Sequence, residues 1–457
     1  MTFETMPTKG ELDVKIFLSP SQAQTFTIST DGNHTNGLFG IEGALAYSHN
    51  NTFGGAERLQ ISLNGGLEMQ RLIFASDTSQ SIGEEVTGLS NTFNTVEFGP
   101  KITLTVPRLV LIQPLLERWK GTYFANPKTE FLAAVNFQNR PDFRRGIEEF
   151  NFSYIFHERP EFTLRVTPLE LSAIEIEKSD EFQQRIDELN DRFLAASYQN
   201  HIIAGGKISF QYNQQLLKRP RRSTYFVQGS FEFAGHTLRG IFNLLNRPFD
   251  DPITESYNIL GIRFAQFVKL SVDGRHYLKL GRNGKLASRL AAGFGLPGAN
   301  LREALPFEKS FFIGGTNSVR AWKARTLGPG SYLDPELRFD KIGDIQLEGN
   351  LEVRFPLSSW IEGALFTDAG NIWLMNEDSL RVGGVFEAND FVSEIAIGSG
   401  FGMRFDLDFF IIRIDLAMPM KNPALPSGER WLFQGGMTDE RRNYYRPQIN
   451  LGIGYPF

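Results

Sequence analysis

Arg320 is the side chain whose type and setting carry the most chemistry in this sequence. It stands in GGTNSVRAW, Gly314 to Trp322, inside a long connection over 298–343. Two acids follow in alternating segments, Glu352 in GNLEVRFPL and Asp368 in ALFTDAGNIW. A guanidinium presents a planar fork of donors that matches a carboxylate. The chemistry on offer is ion pairing, not bond breaking. If the connection folds into an interior, Arg320 is partly desolvated and requires an anionic partner. If it stays in solvent, Arg320 is an ordinary loop arginine and the acids are independent charges. These three residues alone leave both readings open.

No catalytic set accompanies them. The six histidines are scattered, with no HExxH or paired metal spacing, no GxSxG elbow and no phosphate-binding loop. With no cysteine, a disulfide framework, a thiolate metal site and a cysteine nucleophile are excluded. No enzyme, cofactor or metal is therefore expected. A net charge of −5 offers no basic face for nucleic acid.

The elements that must position Arg320 and the acids read as strands. In GDIQLEGNLEVRFPL, Ile345, Leu347, Leu351, Val353, Phe355 and Leu357 share one face, while Asp344, Gln346, Glu348, Asn350, Glu352 and Arg354 share the other. EIAIGSGFGMRFD and ERLQISLNGGLEMQ repeat this period of two. No run of about 18 apolar residues offers a transmembrane helix. A barrel wall hides its hydrophobicity in alternate positions, so a polar average is compatible with membrane insertion. Alternation also fits a soluble β-sandwich. Strand length and charges at successive positions of the polar face favour tilted bilayer spans around a wet lumen.

About sixteen strands are expected, near 25–32, 38–48, 57–71, 93–106, 129–138, 147–157, 161–176, 201–214, 223–234, 262–280, 285–296, 344–357, 361–373, 394–407, 409–418 and 446–457. Short connections at HERP, GRNG, PLSS and near Asp408 fall on every second junction, and long ones, above all 298–343 and 419–445, lie between them. Such asymmetry suits short periplasmic turns and long external loops, with both termini periplasmic. DEFQQRIDELNDRFLAA departs from the pattern, with Phe182, Ile186, Leu189 and Phe193 at helical spacing. It reads as a helix capping the barrel mouth, with a partner-binding helix as the alternative.

GGTNSVRAW resembles the marker of the BamA/TamA-like outer-membrane protein assembly superfamily, also called the bacterial surface antigen family. That marker is a Gly-Gly turn followed by a Val-Arg-Gly-aromatic tip on the sixth external loop. Here Gly314 and Gly315 make the turn, Val319, Arg320 and Trp322 the tip, and Ala321 replaces the usual glycine. GNLEVRFPL resembles the family's twelfth strand, ALFTDAGNIW its Phe-x-Asp-x-Gly strand and FGMRFDLDFFIIRIDLAMPM the pair that follows. NNTFGGAE, over 50–57, resembles the turn after the second strand. The resemblance covers 310–457 and, more thinly, 25–70. It implies that Glu352 and Asp368 point inward and lock the loop through Arg320.

The resemblance also implies a function: inserting, assembling or translocating other proteins at the outer membrane. Partners would be the lipid bilayer, unfolded outer-membrane or secreted proteins, and accessory periplasmic or lipoprotein subunits. The alternatives are a two-partner-type secretion pore and a passive porin or anchor barrel. In ELDVKIFLSPSQAQ, Leu12 to Leu18 reads as one short strand ended by Pro20, resembling the tail of a POTRA module over 1–20, with the barrel over 21–457. No signal peptide is visible before it. The ending NLGIGYPF, with Asn450, Gly452, outward Tyr455 and terminal Phe457, resembles the C-terminal assembly signal of outer-membrane barrels. The first and last strands look poor at pairing: TFTISTDGN has only Phe26 and Ile28 as large apolar residues, and the last carries Pro447, Gly452 and Gly454. A laterally opening seam and a merely frayed terminus both fit.

Overall fold

A computed structural model describes residues 2–5, 12–15, 22–35, 38–68, 94–112, 127–189, 195, 197–217, 221–281, 283–301, 304–333 and 341–457. Its strands are β1 (Thr2–Thr5), β2 (Leu12–Lys15), β3 (Gln24–Thr35), β4 (Leu38–His49), β5 (Arg58–Glu68), β6 (Thr95–Val106) and β7 (Lys128–Asn139). Then come β8 (Phe143–Arg159), β9 (Phe162–Lys178), β10 (His201–Asn213), β11 (Ser223–Ala234), β12 (Asn258–Ile259), β13 (Ile262–Phe264) and β14 (Phe267–Leu280). The last are β15 (Gly284–Pro297), β16 (Ile345–Pro356), β17 (Ile361–Trp373), β18 (Ala396–Asp406), β19 (Ile411–Lys421) and β20 (Gln448–Ile453). Among the described residues three α-helices are interspersed: α1 (Asp180–Leu189), α2 (His236–Leu244) and α3 (Asp439–Tyr444).

Among the described residues, eighteen strands form a closed sheet, with β20 beside β3. β12 and β13 are a small excursion of two and three residues. β11 bypasses them and pairs with β14 from Ser223↔Leu278 to Ala234↔Phe267. The remaining staves are antiparallel neighbours in chain order and number the sixteen expected. The strand expected over 262–280 is thus two elements, because Ala265 leaves the stave and donates its N–H to the Ile202 carbonyl.

Burial decides between sandwich and membrane barrel. The apolar face of each stave is the bare one: Ile61, Leu351, Leu365 and Phe401 are 44, 49, 57 and 56% exposed. The charged face is the covered one, with Glu348, Glu352, Arg354, Arg404 and Asp415 all buried. A soluble sandwich has the opposite distribution. An apolar outside around a polar inside is stable only where hydrocarbon replaces water. No helix among the described residues is long and apolar enough to cross a membrane.

Connection lengths alternate from β8 to β20 as the sequence suggests, but not before. β3–β4 and β7–β8 are joined by short links on the long-loop end, and 107–127 is a long link on the turn end. Leu109 from that link packs on Tyr154 and Phe156, and Tyr154 donates to the Val110 carbonyl at 2.8 Å. α1 caps the mouth through Phe182 and Ile186, which pack on Phe143 and Tyr198. Phe193 lies outside the described residues, as does the side chain of Leu189.

Two expectations at the ends need correction. The N-terminal segment is a hairpin, not a single strand: β1 pairs with β2 from Thr2↔Lys15 to Thr5↔Leu12, and Ile16 to Leu18 lie outside the described residues. The last strand stops at Ile453 instead of running to Phe457. Gly454 adopts φ +77°, a left-handed conformation that turns the chain off the stave.

Candidate functional site

β16 and β17 pair with Asn350 opposite Asp368 and Glu352 opposite Phe366. Strand alternation therefore delivers Glu352 and Asp368 to the same lumen surface, one pair apart. Above them the sixth loop makes a tight tip. Gly314 and Gly315 have φ of +98° and +93°, and a Cβ on Gly314 would come within 2.3 Å of the Lys323 carbonyl oxygen. Gly315 N–H donates to the Trp322 carbonyl, and Ser318 Oγ accepts from Gly314 N–H. Val319 is fully buried in a cluster with Phe311, Ile313, Leu327, Ile372 and Ala396, against which Trp322 packs.

This tip places Arg320 in the lumen with no exposed surface. Its Nε and Nη2 donate to the two carboxylate oxygens of Asp368 at 2.8 and 2.9 Å, the planar fork the sequence suggested. Nη1 donates to Glu352 at 2.6 Å and to Asp415 at 3.4 Å. The backbone N–H of Arg320 adds a bond to Asp368, and the guanidinium lies 3.4 Å from the centre of the Phe366 ring. Burial works against its charge, but Asp368, Glu352 and Asp415 outweigh that and hold the guanidinium pKa above its ordinary value.

Four partners of this network were not singled out in the sequence: Asp415, Arg404, Arg413 and Arg354. Arg404 bridges Asp415 at 2.5 Å and Glu352 at 3.0 Å, and Arg354 donates to Glu352 at 2.6 Å. Arg413 reaches the loop itself, donating to Thr316 O and Asn317 Oδ1 at 3.0 and 2.8 Å. The signal was available. In IIRIDLAM, alternation puts Arg413 and Asp415 on one face, but only the register shows that this face meets Arg320.

Ala321 finds its explanation across the lumen. It is buried, and a Cβ on Gly398 of β18 would fall 2.4 Å from the Ala321 Cβ. The methyl group gained on the loop fits because the facing stave has none.

The C-terminal residues are drawn into the same site. Asn450 of β20 donates to the Arg320 carbonyl at 2.9 Å. A Cβ on Gly452 would lie 2.5 Å from Arg413 Nη2, so glycine makes room for that guanidinium. Tyr455 and Phe457 do not face outward, contrary to expectation. Once Gly454 has turned the chain inward, the Tyr455 hydroxyl donates to Glu362 at 2.7 Å. Arg354 stacks over the Tyr455 ring at 4.2 Å, and Phe457 is buried. A cation on an aromatic face inside the lumen outcompetes lipid for these rings.

A second set of contacts holds the loop's first part to the opposite wall. Glu308 accepts from Arg145 of β8 at 2.9 Å and faces His201 of β10 at 3.4 Å. Lys309 donates to Glu170 of β9 at 2.8 Å and also bridges Glu232 of β11. The loop thus spans the lumen between two anchors. Among the described residues no group of acids and histidines is arranged to hold a metal ion.

Architecture and site define a transmembrane β-barrel with a lumen-locked sixth loop. Residues 253–439 match the Omp85 superfamily domain. The outer membrane protein assembly factor BamA of Neisseria meningitidis serogroup B is 25% identical over 167 residues, covering 33% of this chain and 20% of that protein. The chain therefore spans about a fifth of the length of this curated relative. Among solved structures, BamA from Haemophilus ducreyi lacking POTRA domains 1–3 superposes with a TM-score of 0.58 at 12% identity, covering 99% of this chain and 73% of that one. CdiB from Escherichia coli gives 0.50 at 12% identity, over 99% and 66%. At these identities the structures speak for the fold alone.

Proposed function

We propose that this barrel inserts, assembles or translocates other proteins at the outer membrane, without catalysing a covalent reaction. The observation that carries the reading is the fully buried Arg320, pinned by three lumen carboxylates and tied through its own carbonyl to Asn450 of the last strand. A passive pore has no use for a lumen occupied by a pinned loop, which weighs against the porin or anchor alternative. In this reading the long-loop end is external and both barrel termini are periplasmic. Hairpin β1–β2 is the tail of a POTRA module over 1–20, and the barrel occupies 21–457. Substrates are unfolded outer-membrane or secreted proteins, with accessory periplasmic or lipoprotein subunits as further partners.

The seam favours membrane insertion over export of a soluble chain. β20 has six residues, against twelve in β3, so it can cover only half of its neighbour. Phe26 and Ile28 of β3 are each 78% exposed, well above Leu351 in the wall. Sparse pairing lowers the cost of separating two strands, by roughly 0.2–1 kcal/mol for each cross-strand pair not made. Any targeting role of Tyr455 and Phe457 belongs to the chain before it folds, since the finished barrel encloses them.

The test is reconstitution of the protein in liposomes with a denatured outer-membrane barrel as substrate. Faster appearance of folded, protease-protected substrate than in empty liposomes is the expected result. Equal rates would overturn the proposal. Passage of a soluble substrate into the liposomes, with no barrel inserted, would favour the secretion pore.

A further inference from the structure

The excursion between β11 and β14 carries an apolar surface that the loop lock does not use. β13 lies parallel to the external end of β10, pairing Arg263 with His201 and Phe264 with Ile202. Paired residues point to the same side of a sheet. His201 faces the lumen, where it meets Glu308, so its pair partner Arg263 lies on that side too. Ile202 and Phe264 therefore point outward, on the side where Ile208 and Phe210 of β10 are bare. Yet Phe264 is fully buried. Its cover is Phe242 of α2, with ring centres 6.1 Å apart. That contact puts α2 on the outer side of the wall.

With Phe242 turned to the wall, Ile241, Leu244 and the C-cap residue Leu245 of α2 are left 46, 82 and 69% exposed. The polar side chains of the helix are used elsewhere: Arg239 donates to Glu255 O and Asn300, and Asn243 accepts from Tyr257. The position of the helix is fixed by its entry. β11 ends at Ala234, Phe233 pairs with outward Gly206, and Gly235 turns at φ +73°, where a Cβ would meet the Ala265 carbonyl oxygen at 2.4 Å. Three residues span at most about 10 Å, so α2 begins within that distance of Phe233 at the top of the apolar belt. Phe231 and Leu270, just below, are 41 and 48% exposed. The bare flank thus continues the lipid-facing wall.

We propose that α2 is an interfacial anchor, seated with Ile241, Leu244 and Leu245 at the boundary between headgroups and acyl chains of the outer leaflet. A short amphipathic helix in that layer buries its apolar face and leaves its polar side wet. The inference rests on the barrel's being embedded in a bilayer, and the test separates the two. Because the chain has no cysteine, an environment-sensitive fluorophore can be placed singly. Three labelled variants of the full chain in phospholipid vesicles suffice: Leu244→Cys, Leu365→Cys on the wall and Asn389→Cys on an exposed external loop.

The expected result is blue-shifted emission from Leu244→Cys and Leu365→Cys, with both quenched more by lipid-borne spin labels than by aqueous iodide. Asn389→Cys should show the reverse. Lipid quenching at Leu365→Cys with iodide quenching at Leu244→Cys would overturn the anchor and leave the barrel reading intact. Iodide quenching at both would overturn the two together. Protection of Leu244→Cys from both quenchers, with energy transfer between labelled copies, would also overturn the anchor and assign the flank to protein contact.

Discussion

The sixth loop is held at two places by the same kind of interaction, yet the two anchors are built differently. At the tip, one arginine faces three acids, and Arg320, Glu352, Asp368 and Asp415 are all essentially without exposed surface. At the base, Glu308 and Lys309 keep 17 and 16% of their side-chain surface and meet their partners mostly through single contacts. A desolvated, bidentate pair has one good geometry and a large penalty for losing either half. A pair that keeps some exposed surface and a single contact is weaker and more forgiving. The tip is therefore the register pin of the loop, and the base is the part that responds to conditions.

Removing the pin should produce the largest effect. Arg320→Ala leaves three buried carboxylates without their common partner, which costs about 3–5 kcal/mol for a broken buried pair. The barrel should still form, with new protease cleavage within 298–343 and reduced substrate assembly. Arg320→Lys should recover only part of this, because an ammonium cannot reproduce the two-oxygen fork on Asp368. A fully active, protease-resistant alanine variant would remove the distinction between the anchors.

The fit of Ala321 against Gly398 sharpens the same contrast on packing grounds. Gly398→Ala forces two methyl groups into 2.4 Å, and overpacking of this kind costs about 1–3 kcal/mol. The double variant Gly398→Ala/Ala321→Gly moves the methyl to the other wall and should restore most of the lost thermal stability. Additive losses in the double variant would show that the two positions do not share one space.

The base anchor should give the smallest change, and Glu308 gives it a dependence on acidity. Glu308→Gln is expected to cost less than Arg320→Ala, since the amide keeps an oxygen that can accept from Arg145 and only one charge is lost. Burial opposes the Glu308 charge, but His201 and Arg145 outweigh it and hold its pKa below the ordinary value. Its stabilisation is thus present above the unfolded glutamate range and lost as pH falls through the lower folded value. Hydrogen-exchange protection over residues 304–310, taken relative to the intrinsic rate at each pH, should fall in acid in the native chain and show no such step in Glu308→Gln. An identical acid response in both would assign it to another group.

How much of this was legible in the sequence varies with the distance over which each feature is decided. α1 was visible because Phe182 and Ile186 recur at a helical period and happen to be the residues that pack. β20 was read too long because nothing local distinguishes Tyr455 and Phe457 from outward stave residues. The Arg354 and Glu362 side chains, waiting inside the lumen, make the inward turn at Gly454 favourable.

By itself the sequence determined the staves and their two faces, since strand alternation is a property of neighbouring residues and survives without any knowledge of the partner strand. It also determined that Arg320 was the loop's chemical centre, through the motif around it. Tertiary structure decided everything that depends on closure. The register brings Asp415 to an arginine 95 positions away, β20 under Arg413 and α2 to the outside of the wall. Those contacts join segments far apart in the chain, and a stagger of one residue between staves would have sent each side chain to the opposite face.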